Sequence, residues 1–162
     1  MGGAKMTFTI PGVPVGKARA RTFYNSKMGK MQSITPEKTM NYENLVRYQF
    51  QQAGGKLTKL PVKVIVKAYL PIPSAMPKKV KLQALSGNVV PTSKPDNDNI
   101  EKIIFDALNG FAYKDDTQIA ENHTYKYYSN EPCVEVTIEP IDVWYYRYNG
   151  KFIERNKNYE QS

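Results

Sequence analysis

The sequence predicts a single α+β domain in which helices pack against a small mixed β-sheet. The first observation is the order of the predicted elements, strand, helix, strand, helix, strand, strand, which mixes both types. The second is a stretch of strict apolar–polar alternation, and the third is an apolar stripe at helical spacing. A chain of 162 residues, with 41% hydrophobic and 23% charged residues, is large enough for one core.

The N-terminal part predicts a strand, a basic segment and a turn. Residues 7–10 are a β candidate that ends at a turn rich in Pro and Gly. Lys17, Arg19 and Arg21 then alternate, so an extended chain would place all three side chains on one side. We interpret residues 25–29 as the tip of a loop.

A helix and a buried strand follow. Thr35 and Pro36 predict the helix start, with Thr35 as the N-cap and Pro36 as the first helical residue. Apolar residues then recur at helical spacing until the Gly pair at 54–55 ends the helix. Residues 62–70 alternate apolar and polar side chains, which predicts a strand with one buried face. Residues 78–85 predict a short basic helix.

The C-terminal half predicts another helix, two strands and a hairpin. From Asn99 onward five apolar residues fall on one helical stripe, and Gly110 is a natural terminator. Residues 118–128 predict a strand of weak pattern, and residues 134–138 predict a clearer one. The Asn-Gly pair at 149–150 lies between two aromatic runs, which predicts a β-hairpin.

The cysteine and histidine content excludes some classes of protein. A single Cys133 excludes an internal disulfide, and with a single His123 one chain cannot build the usual Cys/His zinc site. We expect Cys133 in the core and a structural role for His123. The chain shows no apolar signal core and no apolar run of bilayer-spanning length. We therefore expect a cytoplasmic protein with no membrane partner and no small-molecule cofactor.

Charge is distributed unevenly along the chain. The net charge of +8 favours a nucleic-acid or other polyanionic partner. The first eighty residues hold 14 Lys and Arg against 2 Asp and Glu, whereas residues 81–120 hold 4 against 6. A compact acidic segment in a basic protein predicts a divalent metal ion bound against a phosphate, which is the layout of a metal-dependent nuclease.

The acidic segment offers candidate metal ligands. Asp96 and Asp98 precede a helix, and on an extended chain they would point the same way and share one ion. Asp116 would supply a third carboxylate for that ion or for a second one, with Asp115 as the alternative ligand. Oxygen ligands select hard cations, so Mg²⁺ is expected, with Mn²⁺ as a substitute. The structural alternative is a capping box, because Glu101 follows Asp98 at the required spacing.

Lys102 has two interpretations. It pairs with Asp106, one helical turn later, on an exposed face. Alternatively, it points into the site and stabilises negative charge on the phosphate during cleavage. The spacing of the two residues fits both interpretations.

Three short motifs occur in a fixed order. Residues 94–102 read Lys-Pro-Asp-x-Asp-Asn-x-x-Lys, residues 105–110 read Phe-Asp-Ala-Leu-Asn-Gly, and residues 113–119 read Tyr-x-Asp-Asp-x-Gln-Ile. Together they resemble the RusA family, the Holliday-junction resolvases of bacteria and their phages. Weaker similarity extends over residues 6–140, and the aromatic tail lies outside it.

The resemblance implies a homodimeric, Mg²⁺-dependent endodeoxyribonuclease of recombination and repair. It implies that four-way branched DNA is resolved by paired symmetric nicks, for which an isologous dimer supplies two sites related by a two-fold axis. By motif position, the implied catalytic residues are Asp96, Asp98, Lys102 and Asp116, and the three aspartates among them are the implied metal ligands. We assign DNA contacts to Lys17, Arg19, Arg21 and Lys94.

The resemblance also divides the chain. Residues 1–140 form the predicted RusA-like nuclease domain, and residues 141–162 form an aromatic and basic extension. We expect the aromatic side chains of this extension, which include Trp144, to pack on the body or on a second subunit. Stacking on unpaired bases is the alternative.

Two other functions fit parts of the pattern. A non-catalytic DNA- or RNA-binding protein would use the basic body and would cleave nothing. A metal-dependent nucleotidyl or glycosyl transferase would use the Asp-x-Asp pair to bind a metal–nucleotide diphosphate. The sequence offers no Gly-rich phosphate loop for such a nucleotide.

Overall fold

The structure, a computed structural model, describes residues 5–155 and has the predicted α+β architecture. Within that range the α-helices are α1 (Glu37–Gln52), α2 (Lys78–Leu85) and α3 (Asn97–Leu108). The strands are β1 (Met6–Pro11), β2 (Arg21–Asn25), β3 (Lys30–Ile34), β4 (Val62–Pro71), β5 (Ile119–Ser129), β6 (Cys133–Pro140), β7 (Tyr145–Tyr148) and β8 (Lys151–Glu154). A 3₁₀ turn, Asp116–Gln118, leads directly into β5.

Four strands form one mixed sheet in the spatial order β1, β6, β4, β5. The outer strand β1 and the inner strand β4 each pair antiparallel with β6, whereas β5 pairs parallel with β4. A parallel pair needs a crossover connection, and the segment between β4 and β5 carries both α2 and α3. This crossover therefore places α3 against the sheet.

The hydrophobic core lies between one face of the sheet, α1 and α3. The side chains of β4 alternate between buried and half-buried positions, as the sequence predicts. Helix α3 buries its whole apolar stripe, which consists of Ile100, Ile103, Ile104, Ala107 and Leu108. Burial of this stripe fixes the rotation of α3, and the opposite face of the helix carries its charged residues.

The N-termini of α1 and α3 correct two sequence predictions. The N-cap of α1 is Pro36, whose ψ of 141° is extended, so Thr35 is not the cap and Pro36 is not helical. The N-cap of α3 is Asp96, and no side-chain hydrogen bond caps this helix. A capping box that starts at Asp98 is therefore wrong, because Asp98 already lies in the first helical turn.

Two β-hairpins stand apart from the sheet. The pair β2–β3 flanks the predicted loop tip, although the sequence did not predict its strands. The pair β7–β8 confirms the hairpin predicted from Asn149 and Gly150, which have the positive φ values, 50° and 75°, of a two-residue hairpin turn. None of the helices in residues 5–155 is long and apolar enough to cross a bilayer.

The single cysteine and histidine lie on the sheet. Cys133 is half-buried rather than part of the core, because it alternates with the buried Val134 and so faces the other side of the sheet. The exposed His123 lies on β5, where its Nε2 is 3.0 Å from Oε1 of Glu121. Its ring also stacks on that of Tyr125. These contacts fit the structural role expected for His123.

Candidate functional site

One face of α3 carries charges of alternating sign. Asp98, Lys102 and Asp106 are four residues apart, so they follow one another at about 6 Å per step along the helix axis. Lys102 Nζ lies 3.5 Å from Asp106 Oδ2, which confirms the predicted pair. The Lys102 side chain is nevertheless 62% exposed, and exposed pairs contribute only about 0–1 kcal/mol. Its ammonium is therefore accessible to a phosphate.

The first turn of α3 is attached to β5. Asn97 Nδ2 donates a hydrogen bond to the Thr124 carbonyl oxygen at 3.0 Å, and Asn122 Nδ2 donates to Glu101 Oε1. Burial raises the pKa of Glu101, the hydrogen bond with Thr124 opposes that effect, and the nearby charge of Asp98 raises the pKa further. Asp98 therefore lies in a locally negative environment on a fixed helix end.

The turn after α3 distinguishes between the two adjacent aspartates. Asp115 Oδ1 accepts the Asp116 backbone N–H at 2.9 Å, and Asp115 Oδ2 accepts the Thr117 hydroxyl at 3.2 Å. Both oxygens of Asp115 thus cap the 3₁₀ turn. This role favours Asp116 as the metal ligand of the pair.

Asp116 lies in a strongly negative environment. Burial raises the pKa of its carboxyl group, the carboxylates of Asp115 and Asp106 raise it further, and Lys102 partly offsets them. The charges of Lys102 and Asp106 therefore both act on Asp116, although they are 14 and 10 positions away from it in the sequence. A bound cation would relieve the repulsion among these carboxylates.

The predicted metal ligands are not assembled into a closed cage. Within residues 5–155, no three Asp, Glu, His or Cys side chains are grouped so that they could hold one ion. The expectation that Asp96 and Asp98 point the same way on an extended chain is wrong, because only Asp96 is extended. The donor type still suits Mg²⁺, which often takes one or two carboxylates and completes its shell with waters and substrate phosphates.

Lys17 points into the protein rather than towards solvent. Its Nζ lies 3.3 Å from Asp106 Oδ2 and also pairs with Glu43 Oε1. Burial lowers the pKa of Lys17, but the two carboxylates outweigh burial and the net pKa is raised, so the ammonium stays protonated. The premise that an extended chain places Lys17, Arg19 and Arg21 on one side is wrong, because the chain is not extended there, and the assignment of DNA contacts to them stays a prediction. The segment before β2 is irregular, and both arginines are exposed.

A close crossing of two chain segments directs Lys17 inward. A Cβ atom on Gly16 would lie 2.8 Å from the Cβ of Pro95 and 3.2 Å from that of Asn99, so glycine allows the contact. The Lys17 N–H then donates to the Asn99 carbonyl oxygen at 2.9 Å. The segment after β1 is thereby fixed across the first turn of α3.

Sequence reasoning missed Glu43. This buried carboxylate of α1 pairs with Lys17, and its Oε2 lies 3.4 Å from Arg47 NH2. Arg47 Nε in turn donates to the Ala107 carbonyl oxygen of α3 at 2.8 Å. The available signal was an acidic residue next to the apolar stripe of α1, four residues before an arginine. Ion pairs thus run from Glu43 through Lys17 and Asp106 to the exposed Lys102.

A groove of about 700 Å³ opens where the two segments cross. Its charged lining is basic except for one carboxylate: Lys17, Arg21, Lys38, Lys94 and Asp96. Three of the four predicted DNA contacts, Lys17, Arg21 and Lys94, therefore line the same groove. Asn99 of α3 also lines it, so the groove reaches the start of the helix that carries the alternating charges.

A basic groove on a small α+β domain is the kind of surface by which proteins bind nucleic acids. The chain matches the family model described as endodeoxyribonuclease RusA over residues 11–139, and it belongs to that family. It is also 37% identical over 137 residues to the uncharacterized protein YqaN of Bacillus subtilis (strain 168). The matched region covers 83% of this chain and 95% of YqaN. The family match confirms the resemblance seen in the three motifs and supports nuclease activity.

Proposed function

We propose that this protein is a Mg²⁺-dependent endodeoxyribonuclease that resolves four-way DNA junctions as a homodimer. The observation that carries the proposal is the negative environment of the Asp116 carboxyl group. The charges of two residues of α3, Asp106 and the exposed Lys102, act on that group. Membership of an endodeoxyribonuclease family supports DNA as the substrate. The basic groove at the start of α3 offers a path for the DNA backbone.

Each site residue has a proposed role in the hydrolysis. Asp98 and Asp116 are the main candidate metal ligands. Asp96, two residues before Asp98, lines the basic groove. When bound there, Mg²⁺ would supply Lewis-acid stabilisation of the charge that develops on the phosphate. Lys102 donates to a non-bridging oxygen and stabilises the charge that develops on the phosphate. The reaction adds water across one P–O bond and leaves a phosphate monoester and a hydroxyl group.

The β2–β3 hairpin supports the proposal of a homodimer. It exposes five large apolar side chains, which are Phe23, Tyr24, Met28, Met31 and Ile34. The strand pairing puts Tyr24 and Met31 on one face of the hairpin and Phe23 and Ile34 on the other, and exposed apolar side chains of this kind often mark a surface that a partner covers. A second copy of the chain would also supply the second active site that symmetric resolution needs.

The direct test is cleavage of a synthetic four-way junction and of a matched duplex, each with Mg²⁺ and with a chelator. We expect nicking of the junction in Mg²⁺ and no nicking in the chelator. A protein that binds the junction under both conditions and never cleaves is a non-catalytic DNA-binding protein. Equal cleavage of junction and duplex would show a nuclease without selectivity for branched DNA.

Mixed dimers test the two-site reaction. Dimers of one wild-type chain and one Asp98→Asn chain should convert a supercoiled cruciform plasmid mainly into nicked circles, because one active site cuts one strand. Wild-type dimers should give linear plasmid within a single binding event. Gel analysis of the early products distinguishes these outcomes. If the wild-type protein is monomeric on the junction, or gives only uncoupled nicks, the proposal of a homodimer with two coupled active sites is wrong.

Asp116→Asn should stabilise the metal-free protein. The raised pKa of Asp116 means that folding disfavours its ionised form, so at pH 7 this carboxylate destabilises the fold. We expect the free energy of unfolding in chelator to rise by up to about 1 kcal/mol in the variant, the scale of surface charge interactions. The difference should vanish as the pH falls below the ordinary pKa of an aspartate, where the carboxyl group is protonated in both states.

Urea denaturation with and without Mg²⁺ measures this effect. Mg²⁺ should stabilise the wild-type protein more than the Asp116→Asn variant. Glu131→Gln, which removes an exposed carboxylate from the β5–β6 connection, serves as the control and should change neither value. A less stable Asp116→Asn protein in chelator would contradict the account.

A further inference from the structure

The inner face of the C-terminal hairpin β7–β8 is anchored beside the acidic turn. The Tyr148 ring lies near two ammonium groups, with Lys59 Nζ 5.5 Å and Lys114 Nζ 5.6 Å from its centroid. Lys114 Nζ also donates a hydrogen bond to Asn149 Oδ1. Because Lys114 directly precedes Asp115 in the sequence, the hairpin is attached to the loop that carries the candidate metal ligand Asp116.

The outer face of the same hairpin is aromatic and exposed. The cross-strand pairs Tyr145–Glu154 and Arg147–Phe152 share this face. Tyr145 is 60% exposed and Phe152 is 78% exposed, and Trp144, which precedes β7, is 77% exposed. The guanidinium carbon of Arg147 lies 6.0 Å from the centroid of the Phe152 ring. Tyr148 thus packs on the body as expected, whereas Tyr145 and Phe152 are mostly exposed.

We propose that this outer face stacks on unpaired bases of the DNA substrate, next to the strand that is cut. The proposal rests on the proposed function and names a contact that the matched family region, residues 11–139, does not contain. Exposed aromatic rings and an arginine are the groups on which unpaired bases stack. Because Tyr148 and Asn149 of the same hairpin contact Lys114, two residues before Asp116, bases stacked on the hairpin would lie near the loop of the candidate metal ligand.

The size and charge of the face argue against other occupants. An aromatic side chain buries about 150–250 Å², so Tyr145 and Phe152 supply roughly 400 Å², less than the ~800 Å² per partner of a standard protein interface. The face also carries Glu154, which would repel the phosphates of duplex DNA. Stacking on bases needs only a small apolar surface, so unpaired nucleotides fit best.

Trp144 provides a built-in reporter, because it is the only tryptophan of the chain. The experiment titrates wild-type protein in chelator with a single-stranded oligothymidine and with a blunt duplex, and records tryptophan emission. We expect strong quenching by the single strand and weak quenching by the duplex. Phe152→Ala should lower the affinity for the single strand about tenfold and leave duplex affinity unchanged. Tyr48→Ala, which removes an exposed aromatic side chain from α1, is the matched control and should change neither affinity.

Three results would overturn the proposal. The first is unchanged emission of the wild-type protein at saturating single strand, a readout that needs no variant. The second is equal single-strand affinity of wild-type protein and Phe152→Ala. The third is a smaller molecular mass of Phe152→Ala in solution, which would make the face an interface between two copies. Failure of the proposed function has a different signature, the absence of junction cleavage by wild-type protein in Mg²⁺.

Discussion

Asp98→Asn should lower the rate of junction cleavage by about 10²–10³-fold and leave junction binding intact. The substitution preserves the size of the side chain and removes the negative charge proposed to hold the metal. Losses of this order follow removal of one electrostatic group from other active sites. Single-turnover cleavage in Mg²⁺ measures the rate, and a mobility shift in chelator measures binding.

Glu37→Gln is the matched control for this substitution. Glu37 lies in the first turn of α1 as Asp98 lies in the first turn of α3, so each variant loses a favourable interaction with a helix dipole. Both should be destabilised by about 0.3–1 kcal/mol, and only Asp98→Asn should lose cleavage. If cleavage, binding and stability fall together in Asp98→Asn, the role of Asp98 is structural.

Lys102→Ala should lower cleavage about a hundredfold with little change in Mg²⁺ affinity or stability. The lost pair with Asp106 is exposed and contributes about 0.3–0.5 kcal/mol, so its removal leaves the fold intact. The lost ammonium is the group proposed to stabilise charge on the phosphate, and its absence therefore lowers the rate of the chemical step.

Two further variants separate the roles of Lys102. Lys102→Arg keeps the positive charge and should retain more activity than Lys102→Ala. Lys81→Ala removes a lysine from α2 and should leave cleavage unchanged. Measurement of the cleavage rate against Mg²⁺ concentration separates the metal affinity from the rate at saturation. If the cleavage rate of Lys102→Ala at saturating Mg²⁺ equals that of the wild-type protein, Lys102 has no role in cleavage and only forms the exposed ion pair with Asp106.

The periodic elements of the fold and the bounds of α2 were predictable, whereas the starts of α1 and α3 were not. Alternation along β4 and the apolar stripe of α3 depend on local repeats, which the sequence displays directly. The start of α3 depends on contacts from elsewhere in the chain. The segment at Gly16 packs on Asn99, and β5 accepts a hydrogen bond from Asn97, so the helix begins before the predicted capping residue.

In the candidate site, too, the contacts set by local spacing were predictable and those between distant segments were not. The Lys102–Asp106 pair was predictable because helical spacing alone places the two side chains together. The inward orientation of the Lys17 side chain could not be predicted from the sequence, because its partner Glu43 is buried on a different element. The preference for Asp116 over Asp115 also required the structure, since only the hydrogen bonds of the 3₁₀ turn distinguish the two neighbours.

We propose that the acidic face of α3 and the Asp116 turn hold the catalytic metal together. Fe²⁺ bound in place of Mg²⁺, with ascorbate and peroxide, produces hydroxyl radicals that cut the polypeptide near the ion. We predict fragments that end near residues 96–98 and 115–116, that excess Mg²⁺ suppresses, and that Asp116→Asn abolishes. Fragments that end elsewhere, or that Mg²⁺ does not suppress, would contradict this location of the metal site.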